Sequence, residues 1–235
     1  EPYVVQIAGS DIENLKKAVQ IINKFDGIYG LDLNCGCPVP KVVRQGAGSA
    51  LLNDLDKLQS IISAIKSVSN KKSLSVKFRL GFNDKNEEKI AKACEEAGAN
   101  YIAVHGRTRA GGYSAKVDYE AIARVKASVK IPVVANGDIN AQNADEILNF
   151  TKCDALMIGR ASIGSPWIFH EIKTKTSVDK ALKQKIILAH FDAMIEHYGE
   201  HGLCIFRKHL HQYSKGIDGA TTFRNDVNFI KDVTA

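Results

Sequence analysis

The chain has 235 residues, 45% of them hydrophobic and 25% charged, with a net charge of +6. That length allows one large domain, or one domain with a small appendage, and the composition excludes a disordered or fibrous chain. No run reaches the ~18 to 20 apolar residues of a membrane-spanning helix, and residues 1–25 lack the pattern of a secretory leader.

Five cysteines (Cys35, Cys37, Cys94, Cys153 and Cys204) are an odd number without framework spacing, which points to a reducing cytoplasm. The positive excess fits either a mildly basic cytosolic protein or one with a polyanionic partner such as RNA.

In chain order, apolar runs suited to strands cover residues 4–8, 28–33, 74–80, 101–105, 132–136 and 155–159. Helical periodicity lies between them: Leu15/Ala18/Val19/Ile22, then Leu58/Ile61/Ile62/Ile65, then Ile90/Ala93/Cys94/Ala97. Asp84 and Asn140 are placed to cap the third helix and one over residues 141–149, and Gly98 to end a helix. Strands alternating with helices predict βαβ units and a parallel sheet.

An open doubly wound sheet and a barrel both satisfy that order. Every run, however, ends in polar or special residues: Gly9-Ser10, Asn34-Cys35-Gly36-Cys37, Arg79, His105-Gly106-Arg107, Asn136-Gly137-Asp138 and Gly159-Arg160. An open sheet concentrates its site at one switch point, whereas a barrel gathers all its strand ends at one mouth. Loops after the last two barrel strands often bind phosphate, and the final two glycine loops suit that task. Counting back from them makes residues 4–8 the third strand. The expected fold is α/β: a TIM (β/α)8 barrel lacking about its first two βα units, over residues 1–176. From 177 the strand signal stops. An amphipathic stripe (Ile187, Phe191, Met194, Ile195, Tyr198) and a basic helix around 206–213 predict a small helical domain over 177–235, cut short at its end.

The pair Cys35-Gly36-Cys37 lacks the second ligand pair of a zinc site. It can be a redox pair, two small loop fillers, or one working thiol, Cys37, held between Gly36 and Pro38. An ordinary thiol is mostly protonated at neutral pH and can act as a general acid. Lys77 shares a strand face with Ser75 and Arg79, opposite Val76, Phe78 and Leu80. It is placed as a Schiff-base nucleophile or as a fixed cation beside a ligand. His105 ends a strand ahead of two arginines, and Gln6 is an amide in an apolar strand that needs a partner. Together these suit a planar cofactor carrying a phosphate, and FMN fits: Gln6, Lys77 and His105 toward the ring, the two late glycine loops toward the phosphate.

The stretches LDLNCGCPVPKVVRQGAGSALL, VKFRLGF, AVHGRTRAGGYSAKVDYEAI, PVVANGDI and ALMIGRASIGSPWIF occur in order, with RKHLHQYSKGIDGATTFR in the helical part. Over essentially its whole length the chain resembles bacterial tRNA-dihydrouridine synthases, most closely the branch labelled B. The family's N-terminal flavin-binding strand, of the Pro-Met-Ala-Gly kind, is missing, in keeping with the strand count. The chain is expected to be a cytoplasmic, metal-free monomer not bound to a membrane, and the resemblance implies an enzyme that reduces the C5–C6 bond of particular tRNA uridines with FMN reduced by NADPH. Cys37 matches the proton donor to C5, with hydride passing from flavin to C6. Gln6, Lys77, His105, Asn136, Gly137, Asp138, Gly159 and Arg160 match flavin contacts, and Cys35 takes no catalytic role. Lys41 and Arg44 are expected on the RNA backbone, with Arg107, Arg109, Arg207 and Lys208 as weaker candidates. Competing readings are an FMN-dependent barrel dehydrogenase for a small pyrimidine-like substrate, a flavin-free aldolase using Lys77, and a non-catalytic RNA-binding fragment.

Overall fold

Six apolar runs become strands in the computed structural model, which describes residues 2–230: β1 Tyr3–Ile7, β2 Ile28–Cys35, β3 Ser73–Arg79, β4 Tyr101–His105, β5 Val133–Asn136 and β6 Ala155–Met157. They form one sheet in the order β1-β2-β3-β4-β5-β6, every neighbouring pair parallel. A doubly wound sheet reverses strand order at its switch point; strictly sequential order winds in one sense, as in a (β/α)8 barrel. The sheet is therefore an arc of six consecutive strands of such a barrel. The last run ends two residues short of expectation, so Gly159 lies beyond β6 rather than on it.

The connecting helices are α1 Ile12–Ile22, α2 Pro40–Arg44, α3 Leu55–Val68, α4 Glu87–Glu96, α5 Tyr119–Ser128 and α6 Ala144–Thr151. Aspartates cap three of them: Asp11, Asp54 and Asp118 accept from the backbone N–H of Asn14, Lys57 and Ala121. The expected cap at Asp84 is not used. The Asn86 N–H donates to the Leu80 carbonyl at 2.8 Å, closing a tight loop, so α4 starts only at Glu87. The Asn140 carboxamide accepts from the N–H groups of Gln142 and Asn143, but it caps a turn, and α6 begins three residues later than expected. Gly98 ends α4 as expected, at φ +91°, with the Ala99 N–H on the Cys94 carbonyl.

Strand alternation sorts the side chains. Leu31, Leu33, Cys35, Val76, Phe78, Ile102, Val104, Val133 and Ala135 are fully buried on one face. The α3 stripe Leu58, Ile61, Ile62 and Ile65 is fully buried as well, and α1, α3, α4 and α5 pack in succession. Each buried Leu, Ile, Val or Phe among these stabilises the fold by about 1.5–3 kcal/mol. The opposite sheet face carries the polar residues described below.

By its contacts the chain divides into two compact units, one running to Ile139 and including Asp145–Met157, the other Asn140–Ala144 with the chain from Ile158 onward. The second holds α7 Ile168–Thr174, α8 Lys180–Tyr198, α9 His201–Tyr213 and α10 Ala220–Val227. Gly199, at φ +59°, turns α8 into α9, and a Cβ at Gly202 would run into the Met194 carbonyl, so the two helices meet closely. Phe191 packs on the buried Phe206 with ring centroids 5.1 Å apart, and His190 Nδ1 lies 2.9 Å from the Tyr213 hydroxyl. Of the expected stripe, Ile187, Phe191, Met194 and Ile195 are half-buried, while Tyr198 is exposed.

Candidate active site

Parallel register stacks the polar face in tiers. Gln6 pairs with Asp32 and Asp32 with Ser75; one tier along, Asn34 pairs with Lys77; the next tier is Arg79, His105, Asn136 and Met157. Residues two apart on a strand share a face, so Gln6, Lys77, His105 and Asn136 all project from the side opposite the helices. The sheet thus brings these four expected residues to one surface. Gly137 and Asp138 follow β5 at its end. Gly159 and Arg160 belong to the second unit, at the start of a short 3-10 helix, Arg160–Ser162, where both are exposed.

The two neighbouring thiols part company. Cys35 is the last residue of β2, fully buried on the helix-packed face, and burial pushes its thiol well up, with Cys94 adding to the effect. Cys37 lies beyond the strand in a loop and is half-buried. Three contacts hold that loop. Asn34 Oδ1 accepts the N–H of Gly36 and of Cys37 at 3.1 and 2.9 Å. Arg79 Nε donates to the Gly36 carbonyl at 2.8 Å. The Cys37 carbonyl accepts from the N–H and the hydroxyl of Ser49 at 3.1 and 2.9 Å. Gly48 makes the last contact possible: at φ +60°, its Cβ would stand 2.9 Å from the Cys37 carbonyl and 2.9 Å from Val42 Cγ1.

Arg79 is among the most deeply buried large side chains. Besides Gly36, its guanidinium donates to the carbonyls of Thr108 and Gly112 at 3.2 and 2.9 Å, and it lies 5.1 Å from the Tyr113 ring centroid. One side chain on β3 therefore pins both the loop after β2 and the loop after β4.

Burial pulls the Lys77 ammonium below its ordinary range, while Asp32 opposes that pull. Burial pushes Asp32 up, against hydrogen bonds from Ser75 and Gln6 and the charge of Lys77. His105 is pulled down to about 3, first by burial and then by the cations Arg79, Lys77 and Arg107. Its imidazole is neutral at physiological pH; Nε2 lies 3.3 Å from Arg107 Nη1, which can only donate, so Nε2 accepts and Nδ1–H is left to donate. Gly137 leans on this ring: a Cβ there would sit 3.1 Å from His105 Cδ2 and 3.0 Å from Val117 Cγ1.

The basic residues fall into three groups. Lys41 and Arg44 are exposed on α2, a single turn just past Cys37, and Lys208 is exposed on α9. Arg109 is half-buried, 4.7 Å over the Phe82 ring, and Arg207 donates to the Ile230 carbonyl. Arg107 differs from expectation. Its guanidinium is 4% exposed, bridges to Asp138 at 2.5 Å and donates to the Ala115 carbonyl. A buried, paired cation holds the loop together and is not presented to a polyanion.

Asn34 is one of the polar residues that end the second strand run, but neither it nor Asp32 carries a site role in the sequence reading. Asp32 lies inside the apolar run 28–33 and Asn34 just past it, and the signal is the alternation Leu-Asp-Leu-Asn, period two within a strand. The assembled donor set of amides, an ammonium and a neutral imidazole beside a glycine loop fits a planar heterocycle with acceptor edges.

The family described as Dihydrouridine synthase (Dus) matches residues 1–235. A probable tRNA-dihydrouridine synthase of Helicobacter pylori is 46% identical over 234 residues, covering 98% of this chain and 71% of that protein. A tRNA-dihydrouridine synthase B of Pseudomonas syringae is 39% identical over 246 residues, covering 100% of this chain and 72% of that protein. Among solved structures, the old yellow enzyme from Trypanosoma cruzi superposes with a TM-score of 0.53 at 12% identity, over 72% of this chain and 49% of that one. The old yellow enzyme homologue from Zymomonas mobilis gives 0.52 at 15%, over 72% and 52%. The chain spans about half of each of those two structures, and the likeness is one of fold.

Proposed function

The chain belongs to the dihydrouridine synthase family, and from that footing we propose that it reduces the C5–C6 bond of uridines in tRNA with FMN as cofactor and NADPH as reductant. When bound, the flavin supplies the hydride that C6 receives. Cys37 holds on its Sγ the proton for C5, so that one hydride and one proton saturate the double bond. Gln6, Lys77, His105 and Asn136 bind and orient the ring. Lys77 offers a cation to its electron-rich edge, and neutral His105 offers a hydrogen bond without a second charge. Gly137, Gly159 and Arg160 serve its phosphate side, and Asp138, paired with Arg107, holds the loop that carries Gly137. Lys41 and Arg44 meet the RNA backbone beside the thiol, with Arg109, Arg207 and Lys208 contributing further charge, and the helices from residue 177 on grip the tRNA. The enzyme works as a cytoplasmic monomer; no helix among the described residues is long and apolar enough to cross a membrane.

The observation that carries this reading is the Cys37 loop, fastened by Asn34, Arg79 and Ser49 directly beyond the polar face of the sheet. A target base must leave its stack to reach such a face, at a cost of about a few kcal/mol. Cys37→Ala is expected to keep flavin and tRNA binding and to lose turnover by about 100-fold or more, the scale of general acid catalysis. Undiminished dihydrouridine formation by that variant, measured by mass spectrometry of the tRNA, overturns the assignment.

A further inference from the structure

A carboxylate only accepts hydrogen bonds, whereas a carboxamide both donates and accepts. Asp32 therefore dictates how its neighbours are turned. Its Oδ1 accepts from the Ser75 hydroxyl at 2.6 Å and its Oδ2 from Gln6 Nε2 at 2.6 Å. With its nitrogen committed, Gln6 has only Oε1 for Asn34, whose Nδ2 donates at 2.8 Å. Asn34 is left with Oδ1, and that oxygen receives the N–H groups of Gly36 and Cys37. The chain of bonds has a single polarity from the Asp32 carboxylate to the backbone of the thiol. Reversing either amide would set oxygen against oxygen or N–H against N–H.

We propose that Asp32 is a positioning residue: acting through Gln6 and Asn34, it fixes the loop that presents Cys37. The inference rests on the reading of Cys37 as proton donor. The other titratable groups that act on Asp32 are Lys77 on β3, which favours the carboxylate, and the Cys35 thiol on its own strand.

Moving the charge along the chain tests this. In Asn34→Asp, two carboxylates flank Gln6, which has one nitrogen to give. At low pH Asp32, already pushed up by burial, takes a proton and becomes the missing donor; at high pH the conflict returns. In the double variant Asp32→Asn/Asn34→Asp, the amide at 32 donates to Gln6 Oε1. Gln6 Nε2 then donates to the carboxylate at 34, which still accepts from Cys37.

Hydrogen-exchange protection of the Cys37 and Gly36 amides is the readout. In Asn34→Asp it is expected to fall by about tenfold near pH 8 and to recover as the pH is lowered. In the double variant it stays within about threefold of the parent at both pH values. A double variant no better protected than Asn34→Asp, or a single variant whose loss ignores pH, overturns the proposal. Should the single variant fail to fold, the double must still fold with near-parental protection, and its failure counts against the proposal equally. Exchange protection needs no turnover, so an active Cys37→Ala enzyme would dispose of the thiol's role while the polarity result stood separately.

Discussion

Gly48 and His105 show how single positions set the chemistry of the polar face. Gly48 adopts a left-handed backbone in contact with the Cys37 carbonyl. A methyl there meets strain and two close neighbours at once, so Gly48→Ala is expected to destabilise the fold by about 2 kcal/mol in urea titrations. His105 titrates at about 3 in the folded chain, against about 6.5 when unfolded. Between those values the unfolded state binds the extra proton. The contribution is whole above pH ~6.5 and is lost as pH falls toward 3. NMR of the ring is expected to show no protonation of His105 above pH ~5, and a midpoint near 6.5 would contradict its cationic surroundings.

At the scale of elements, α3 is the clearest case of pattern becoming packing. Its four-residue stripe is fully buried, and Ile61→Ala is expected to cost about 2–5 kcal/mol by chemical denaturation. That stripe, the strand runs and Gly98 could be read directly, because burial on one face imposes a period and a helix end needs a left-handed residue. Other features could not. Asp84 and Asn86 are both acceptable caps, and only the tertiary hydrogen bond from Asn86 to Leu80 decides where α4 begins. Arg107 and Arg109 look alike in sequence, yet one is buried against Asp138 and the other lies over Phe82. Lys77 could be singled out because it shares a strand face with Ser75 and Arg79, His105 because it ends a strand ahead of two arginines, and Gln6 because an amide in an apolar run demands a partner. Asp32 satisfies the same demand internally, through Ser75 and Gln6, and so escaped notice.

For the whole molecule, the excess of positive charge acquires a location in Lys41 and Arg44, beside the thiol. Replacing both with alanine is expected to weaken tRNA binding. It should also flatten the slope of log affinity against log salt by about 1.5, roughly 0.7–0.9 per lost phosphate contact. An unchanged slope in filter-binding titrations would remove α2 from the RNA path. The distribution of sulfur has a practical consequence of its own. Cys35 and Cys94 are sealed from solvent and Cys153 is only 6% exposed, leaving half-buried Cys37 and exposed Cys204 as the thiols a polar electrophile reaches first. Once Cys204 is replaced by serine, the rate at which the folded protein gains the mass of one alkyl label becomes a stopwatch for a single atom, Cys37 Sγ. Shielding by a bound base, or loosening by a distant substitution, can then be timed with no substrate turned over.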